Sequence, residues 1–177
     1  MDASNTYQRF ARFYDAYIQK FTADLPFYKS FCNKTDKILE IGCGTGRVLK
    51  YLLESGYELT GVDISPEMLD IAKNKLHQYL FSLKLKLYNH IFTDLPIYDK
   101  FNKVLITFYT FNYIIDNPEK FLKNITLSMD RNAEIIIDLF YPRTLKNEQI
   151  EGIWQESTIN LNGIVILVTD VTQLRNN

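Results

Sequence analysis

Three glycines alternate with other residues directly after an apolar segment, in the string ILEIGCGTGR at residues 38–47. Gly42, Gly44 and Gly46 allow the main chain to turn sharply, and they let a ligand lie against bare backbone. A helix is predicted to follow over residues 47–55, so the turn also brings main-chain N–H groups and a helix N-terminus to the ligand. The string therefore predicts a ligand-binding turn.

The spacing of these glycines distinguishes between classes of cofactor. A dinucleotide fingerprint has the spacing G-x-G-x-x-G, and its last glycine packs the helix on the strand. Here Arg47 stands at that position, and the Lys-Ser/Thr pair of a P-loop is absent. Glu40, two residues before the first glycine, suits a ligand with a cationic amine better than one with a pyrophosphate. A nicotinamide-dependent oxidoreductase is disfavoured for these reasons.

Hydrophobic periodicity predicts the elements that position this turn. Strands are predicted over residues 36–41, 58–63, 83–88, 101–107 and 133–139, with a turn at 130–132. Helices are predicted over 47–55, 65–80 and 117–129, and one or two more over 6–31 are broken near Pro26. Strands that alternate with helices indicate a parallel sheet with crossover helices.

The string at 38–47 resembles motif I of the class I S-adenosylmethionine (SAM) methyltransferases, and the segment GVDISPEML at 61–69 also fits that family. The resemblance extends over residues 7–142. It implies an α/β, Rossmann-like fold, with a mostly parallel sheet, helices on both faces and a C-terminal antiparallel hairpin. One SAM-dependent methyltransferase domain over 1–177 is expected. It comprises a helical cap (1–35), a cofactor-binding core (36–142) and a hairpin (143–177) that is either complete or a shortened end.

Ligands of open parallel sheets bind at the carboxyl ends of the strands, and the resemblance assigns SAM contacts there. Asp63, 17 residues after Gly46, is expected to accept hydrogen bonds from the ribose hydroxyls, with helix capping as the alternative. Ile64 is expected on the adenine face or in the core. Glu40 is assigned to the methionine ammonium or to orienting the turn, which contributes Gly42, Cys43, Gly44 and Gly46.

Two further segments are expected to bind the cofactor. Many relatives carry an acid after the third strand that binds the adenine amino group, but this chain has Ile91 at that position. Main-chain groups of Ile91 and Phe92 are expected to substitute, or Asp94 if the loop is shifted. Thr107, at the end of the fourth strand, is expected to face the transferring methyl group.

The resemblance supplies only weak candidates for catalysis. Tyr109 lies in an aromatic segment, residues 107–113, that is similar to the acceptor pocket of sugar-amine and other small-molecule N-methyltransferases. Tyr14 lies in a Tyr-Asp element that closes over the cofactor in the same subgroup. Core packing and a position on the helix surface are the respective alternatives. No catalytic residue is assigned, because SAM is already activated and a general base is optional.

The C-terminal part of the chain has a different pattern. Strands are predicted over 157–161 and 164–172 around Asn162-Gly163, a strong hairpin signal. The pair either completes a seven-stranded sheet or forms a flap over the substrate. In the second case the fifth strand would be an exposed edge open to pairing with another chain, which predicts a homodimer or partner chain through this region.

Composition excludes several classes of function. The net charge is −1 and the pI is about 6.1, so no nucleic acid is expected as a partner. No apolar run approaches membrane-spanning length, and no His or Cys spacing indicates a metal. Cys32 and Cys43 are expected as reduced thiols in a cytoplasmic protein. The predicted function is methyl transfer from SAM to a small-molecule acceptor. The alternative is a SAM-binding, catalytically weak subunit that supports a partner protein.

Overall fold

A computed structural model describes residues 11, 13–16, 18, 21–94, 96–114 and 117–139, together with the backbone of two strands at 154–161 and 164–171. The residues described before position 21 are helical. Among the described residues, no helix combines the length and the apolar character that crossing a membrane requires.

Strands and helices alternate along the described chain. The helices are α1 (Leu25–Ser30), α2 (Arg47–Glu54), α3 (Pro66–Lys75), α4 (His77–Phe81) and α5 (Pro118–Leu127), with a 3₁₀ turn at Thr110–Tyr113. The strands are β1 (Ile38–Ile41), β2 (Leu59–Asp63), β3 (Leu85–Asn89), β4 (Phe101–Ile106), β5 (Met129–Ile137), β6 (Trp154–Leu161) and β7 (Ile164–Val171). The predicted alternation is therefore confirmed.

The strands form one sheet in the order β3-β2-β1-β4-β5-β7-β6. The first five are parallel. Their order reverses at β1, whose neighbours are β2 and β4, so the crevice at its carboxyl end is where an open α/β sheet binds its ligand. The glycine turn follows β1 directly, which places it in this crevice.

Both faces of the sheet are covered by apolar side chains. On one face, α1, α2 and α3 pack over Ile38, Leu105 and Ile136. On the other, α5 packs over Leu39, Val104 and Ile135. Since β1 and the second half of β4 are buried on both faces, their residues are mostly apolar. Glu40 interrupts the apolar run of β1, which marks it as a residue with a role other than packing.

The helix after β2 begins as the sequence predicts and ends earlier. Ser65 caps it, because its hydroxyl accepts a hydrogen bond of 3.2 Å from the N–H of Met68. The expectation of one helix over 65–80 is wrong: Leu76, with φ −113° and ψ 17°, separates α3 from α4. Leu76 is buried, so its side chain anchors this break in the core.

Near Pro26 the predicted break between two helical segments is confirmed. Residues 21–24 are not helical, and Pro26 lies in the first turn of α1. Proline fits that position, since the first helical N–H groups have no partner within the helix. Pro26 therefore starts a helix, and the break precedes it.

The fifth strand begins earlier than the predicted residue 133, and it contains the predicted turn. Met129 pairs with Phe101, whereas Glu134 pairs with Lys103, so the register shifts by three residues. Asn132, with φ +65°, lies in this bulge. Asparagine tolerates the left-handed conformation, so the chain turns there without glycine.

The C-terminal strands extend the sheet beside β5. β7 pairs with β5 in parallel over Ile135–Ile137, and β6 pairs with β7 in antiparallel fashion at the edge. β5 is therefore not an exposed edge, and the alternative of a flap over the substrate is wrong for these strands. A homodimer or partner chain through this region stays a prediction without that support. The predicted turn at Asn162-Gly163 lies outside the described residues.

Candidate functional site

A buried acid lies at the centre of the crevice. Glu40 is 1% exposed, and its Oε1 accepts a hydrogen bond of 2.9 Å from the hydroxyl of Thr107, on the adjacent strand end. Within the described part of the chain, its Oε2 has no hydrogen-bond partner. An unpartnered buried carboxylate oxygen is unfavourable in isolation, so this atom indicates a place for a ligand that donates hydrogen bonds.

The protonation of Glu40 depends on its environment. Burial raises the pKa of this carboxyl from 4.5 to about 8, although the hydrogen bond from Thr107 and the charge of Arg47 oppose the rise. Without a ligand, Glu40 is therefore largely protonated at neutral pH. A cation at Oε2 would favour the charged form, because an opposite charge at close range lowers the pKa of a carboxyl.

The three glycines of the turn have different surroundings. All three have positive φ angles, but only a Cβ at Gly44 would fit without a clash, at van der Waals distance from the Tyr14 ring, 3.9 Å away. A Cβ at Gly42 would lie 2.3 Å from Thr110 Cγ2, and one at Gly46 would lie 2.9 Å from Leu76 Cδ1. Gly44 therefore gives a ligand access to the backbone, and the other two allow close packing.

Main-chain N–H groups of the turn are bound within the protein. Gly42 and Cys43 donate to the carbonyl oxygen of Val62 at 2.8 and 3.0 Å, and Gly46 donates to that of Cys43 at 2.9 Å. The expectation that this turn offers its N–H groups to a ligand is wrong for these residues, whose donors are already used. This arrangement disfavours a phosphate ligand. Cys43 is itself buried, and burial raises the pKa of its thiol.

Asp63 joins the ends of β1 and β2. Its Oδ2 accepts from the Gly44 N–H at 2.7 Å, and its Oδ1 accepts from the Ser65 N–H at 2.8 Å. Burial raises its pKa, which these hydrogen bonds oppose. The two roles that the sequence offered for Asp63 are thus compatible: it organises two loops, and each carboxylate oxygen has a further lone pair for a hydroxyl donor.

The next residues along the crevice are partly exposed. Ile64 is 49% exposed, which excludes the core position that the sequence left open. Ile91 is 41% exposed, whereas Phe92 is buried. The carbonyl oxygens of both accept hydrogen bonds within the protein, from the Asp94 N–H and from the Asn124 amide. The main chain of Asp94 thus closes a turn, and the adenine contacts of Ile91 and Phe92, or of the Asp94 side chain, stay a prediction.

The N-terminal helical residues lie against the glycine turn. Asp15 accepts hydrogen bonds from Thr45 and from Lys75, whose Nζ lies 2.7 Å from Oδ2. Tyr14, one residue earlier, places its ring beside Gly44, and burial raises its pKa to about 12. Tyr14 therefore stays protonated at neutral pH, which suits a hydrogen-bond donor and not a general base.

A family model for the methyltransferase domain matches residues 38–130, more than half of the chain. The chain belongs to the SAM-dependent methyltransferase family. Its cofactor is SAM, and no other cofactor class fits the turn as well.

Individual relatives agree with this assignment. A protein of Geobacillus sp. (strain WCH70), named as a candidate methyltransferase, is 30% identical over 123 residues, which are 64% of this chain and 48% of the relative. The demethylmenaquinone methyltransferase of Tropheryma whipplei (strain Twist) is 28% identical over 146 residues, covering 77% of this chain and 59% of the relative. The chain therefore spans about half the length of these curated relatives.

A solved structure has the same architecture. The SAM-dependent methyltransferase of Clostridium acetobutylicum ATCC 824 is 28% identical, with a TM-score of 0.57 over 74% of this chain and 56% of that one. Among the described residues of our methyltransferase, no cluster of His, Cys, Asp and Glu could hold a metal ion.

The residues of this methyltransferase fit the chemistry of its cofactor. SAM carries a primary ammonium, which can donate to the unpartnered oxygen of Glu40. Its cationic sulfonium suits a crevice bordered by the carboxylates of Glu40 and Asp63. Gly44 has room for the ligand beside the backbone.

An aromatic and cationic cluster lies at the end of β4 in this methyltransferase. Arg47 makes a two-pronged ion pair with Asp24, at 2.7 and 2.6 Å, and its guanidinium lies 5.0 Å from the Phe108 ring. Phe108 also stacks on Tyr109 at 5.3 Å and contacts Phe21. Arg47 thus joins the helical cap to the end of β4. In the sequence it was considered only as the residue at the position of a glycine.

Phe108 and Tyr109 adopt a conformation that is rare for their residue type. Their φ angles are +49° and +62°, in the left-handed region that non-glycine residues seldom occupy. Consecutive residues of this kind persist only where surrounding contacts hold them, and they are concentrated at functional sites. The structure thus brings the predicted acceptor segment into the crevice and gives it a defined, strained backbone.

A hydrogen-bonded pair at the carboxyl end of the sheet was missed by sequence reasoning. The Tyr28 hydroxyl donates a hydrogen bond of 2.7 Å to Oδ2 of Asp138. Asp138 directly follows β5, and an acid at the carboxyl end of a buried strand is a signal that could have identified it. Tyr28 offered no such signal, because buried tyrosines are common in the core of a protein.

Proposed function

We propose that this chain transfers the methyl group of SAM to a small-molecule acceptor by in-line displacement. One observation carries the proposal: Glu40 is buried beside the glycine turn and has one carboxylate oxygen without a partner in the described structure. The ammonium of SAM would supply the missing donor and the compensating charge.

Each proposed cofactor contact follows from a position in the crevice. Glu40 holds the ammonium, and Thr107 fixes the rotamer of Glu40 through its hydrogen bond. Asp63 accepts from ribose hydroxyls, and exposed Ile64 packs against the adenine. The turn, with Cys43 and Gly44, packs along the cofactor, while Gly42 and Gly46 hold the turn against neighbouring elements.

The role of the protein in the reaction is chiefly orientation. SAM supplies an activated methyl group on a sulfonium, so the reaction needs an aligned nucleophile in a site that excludes water. The strained Phe108–Tyr109 segment and the helical cap would provide the walls of that site. Tyr14, with its raised pKa, would act as a donor that orients a bound molecule.

A small-molecule acceptor is supported by the relatives and by the crevice. One relative bears the name demethylmenaquinone methyltransferase, and another is named malonyl-[acyl-carrier protein] O-methyltransferase. The acceptor side proposed here is lined by the rings of Phe108 and Tyr109, and its one cation among the described contacts, Arg47, is paired with Asp24. Tyr109 is proposed to contact the acceptor.

The proposal is tested by turnover with methyl-labelled SAM and a panel of small amines, alcohols and thiols. We expect transfer of label to at least one acceptor and loss of that transfer in Glu40→Gln and Asp63→Ala. Isothermal titration with S-adenosylhomocysteine separates binding from chemistry. Tight binding without transfer of the labelled methyl group, by the protein alone or with cell extract, would contradict the proposed enzymatic activity. It would favour a SAM-binding subunit that supports a partner protein.

A further inference from the structure

Asp138 and Thr107 lie side by side at the carboxyl end of the sheet. Ile106 pairs with Ile137 in the parallel register of β4 and β5, so the next residues, Thr107 and Asp138, are also neighbours. The Asp138 N–H donates to the Ile106 carbonyl oxygen at 2.9 Å, which continues the ladder. Asp138 therefore has a backbone position as well defined as that of a strand residue.

Glu40 shares a face of the sheet with these two residues. Glu40 pairs with Leu105, and Leu105 pairs with Ile136; paired residues in a sheet point to the same side, and every second residue along a strand does so too. Glu40, Thr107 and Asp138 thus form a diagonal row on one face, because Thr107 lies two residues beyond Leu105, the partner of Glu40. Adjacent strands are about 4.8 Å apart, so the two acids lie on either side of Thr107.

The environment of Asp138 is arranged to hold its side chain in place. Tyr28 is 1% exposed, and its hydroxyl donates to Asp138 while accepting from the Phe108 N–H at 3.4 Å. Asp138 itself is half-buried. The carboxylate is therefore oriented by Tyr28 of α1 and lies at the carboxyl end of the sheet, beside the strained Phe108–Tyr109 segment.

The cations near this row are already paired with other acids. Arg47 binds Asp24, and Lys75 binds Asp15. Glu40, Asp63 and Asp138 therefore border the crevice as three acids, whereas SAM has a net charge of +1. An acceptor that brings a second positive charge would balance this crevice better than a neutral alcohol or an acid.

We propose that Asp138 binds the nitrogen of a primary or secondary amine acceptor, and that Tyr28 is the positioning residue that orients Asp138. This inference rests on the proposed function. The ammonium form binds Asp138 and loses a proton to the carboxylate or to solvent. The nitrogen lone pair then forms a bond to the methyl carbon, the carbon–sulfur bond breaks, and sulfur keeps its electron pair as a thioether. The methylated ammonium product leaves with the positive charge.

The test measures binding of matched pairs to the protein saturated with S-adenosylhomocysteine. The pairs are 2-phenylethylamine with 2-phenylethanol, and glucosamine with glucose. Isothermal titration at pH 7 measures the affinity of each compound. We expect at least one amine to bind ~10-fold or more tightly than its alcohol counterpart. Asp138→Asn should abolish that preference while S-adenosylhomocysteine affinity changes less than about twofold. Asp130→Asn removes an exposed acid from the other end of β5 and should retain the preference.

The Tyr28→Phe variant tests whether the Tyr28 hydroxyl orients Asp138 or whether Tyr28 only packs in the core. The Tyr28 hydrogen bond lowers the pKa of Asp138, against the rise caused by burial. Its loss should move the pH midpoint of amine binding upwards, a change that a purely structural role would not produce. Amines that bind no better than alcohols, or an unchanged preference in Asp138→Asn, would overturn the inference even if alcohols are methylated. Amine preference without turnover would instead refute the proposed methyl transfer and retain Asp138 as the binding residue.

Discussion

Thr107 and Glu40 form a buried hydrogen bond of 2.9 Å between the ends of β4 and β1. The hydroxyl satisfies one oxygen of the carboxyl, and the other has no partner among the described residues. Burial raises the pKa of Glu40 to about 8, so the folded protein binds a proton there that the unfolded chain releases near pH 4.5. The buried carboxyl of Glu40 therefore lowers the stability of the folded protein without a ligand, and a bound cation compensates for this loss.

Glu40→Gln should stabilise the unliganded protein and weaken cofactor binding. Glutamine is isosteric and cannot ionise, and its side-chain oxygen can still accept from Thr107. The carboxyl favours folding at low pH, and this contribution is lost as pH rises from about 4.5 to about 8. We expect a gain of about 1–3 kcal/mol in unfolding free energy at pH 8 and ~10-fold weaker binding of S-adenosylhomocysteine. Chemical denaturation and titration calorimetry measure the two effects, and a variant that is less stable at pH 8 would contradict the assignment.

Cofactor affinity should depend on pH in the neutral range. Because the ammonium binds the charged form of Glu40, binding below the raised pKa releases one proton. We expect the affinity for S-adenosylhomocysteine to rise nearly tenfold, about 1.4 kcal/mol, per pH unit between pH 6 and 7.5. Titrations in buffers of different ionisation enthalpy also count the released proton. The Glu40→Gln protein is the control, and it should lose this slope; an equal slope in both proteins would assign the proton to another group.

Gly44→Ala and Gly42→Ala should have separable effects. Both positions have positive φ, so each substitution carries a strain of roughly 1 kcal/mol. At Gly42 the new methyl group would also overlap Thr110, whereas at Gly44 it would make only a van der Waals contact with the Tyr14 ring. We expect Gly42→Ala to lower stability by at least ~2 kcal/mol more than Gly44→Ala, and Gly44→Ala to weaken S-adenosylhomocysteine binding ~10-fold or more. If Gly44→Ala binds normally, the ligand does not approach the backbone there.

Asp63→Asn should reduce both stability and cofactor affinity. The carboxylate accepts from the N–H groups of Gly44 and Ser65, and the amide can replace only one of these acceptors. We expect a loss of about 1–3 kcal/mol in unfolding free energy and a similar loss in binding free energy, since hydrogen bonds to a charged group are being removed. Asp70→Asn, an exposed acid on α3, is the matched control. Unchanged binding in a folded Asp63→Asn protein would restrict Asp63 to its loop role.

Local sequence signals predicted the part of the site that lies close together along the chain. The glycine turn, Glu40 before it and Ser65 as a helix cap each depend on neighbours within a few residues, and the structure places them accordingly. The predicted helix over 65–80 was wrong at Leu76, where the main chain leaves the helical conformation although the burial of Leu76 fits a continuous helix. The three glycines looked equivalent, but only the packing of Thr110 and Leu76 distinguishes their surroundings.

The sequence by itself determined the family, the alternation of strands and helices, and the acids at the ends of β1 and β2. These features depend on short motifs, whose conformation is set by neighbouring residues in the chain. Only the tertiary structure decided that Glu40 has an unpartnered oxygen and that Asp138 meets Tyr28, 110 residues away. The physical reason is that strand register and helix packing bring distant residues together, and a carboxyl group has a definite role only once its neighbours are known.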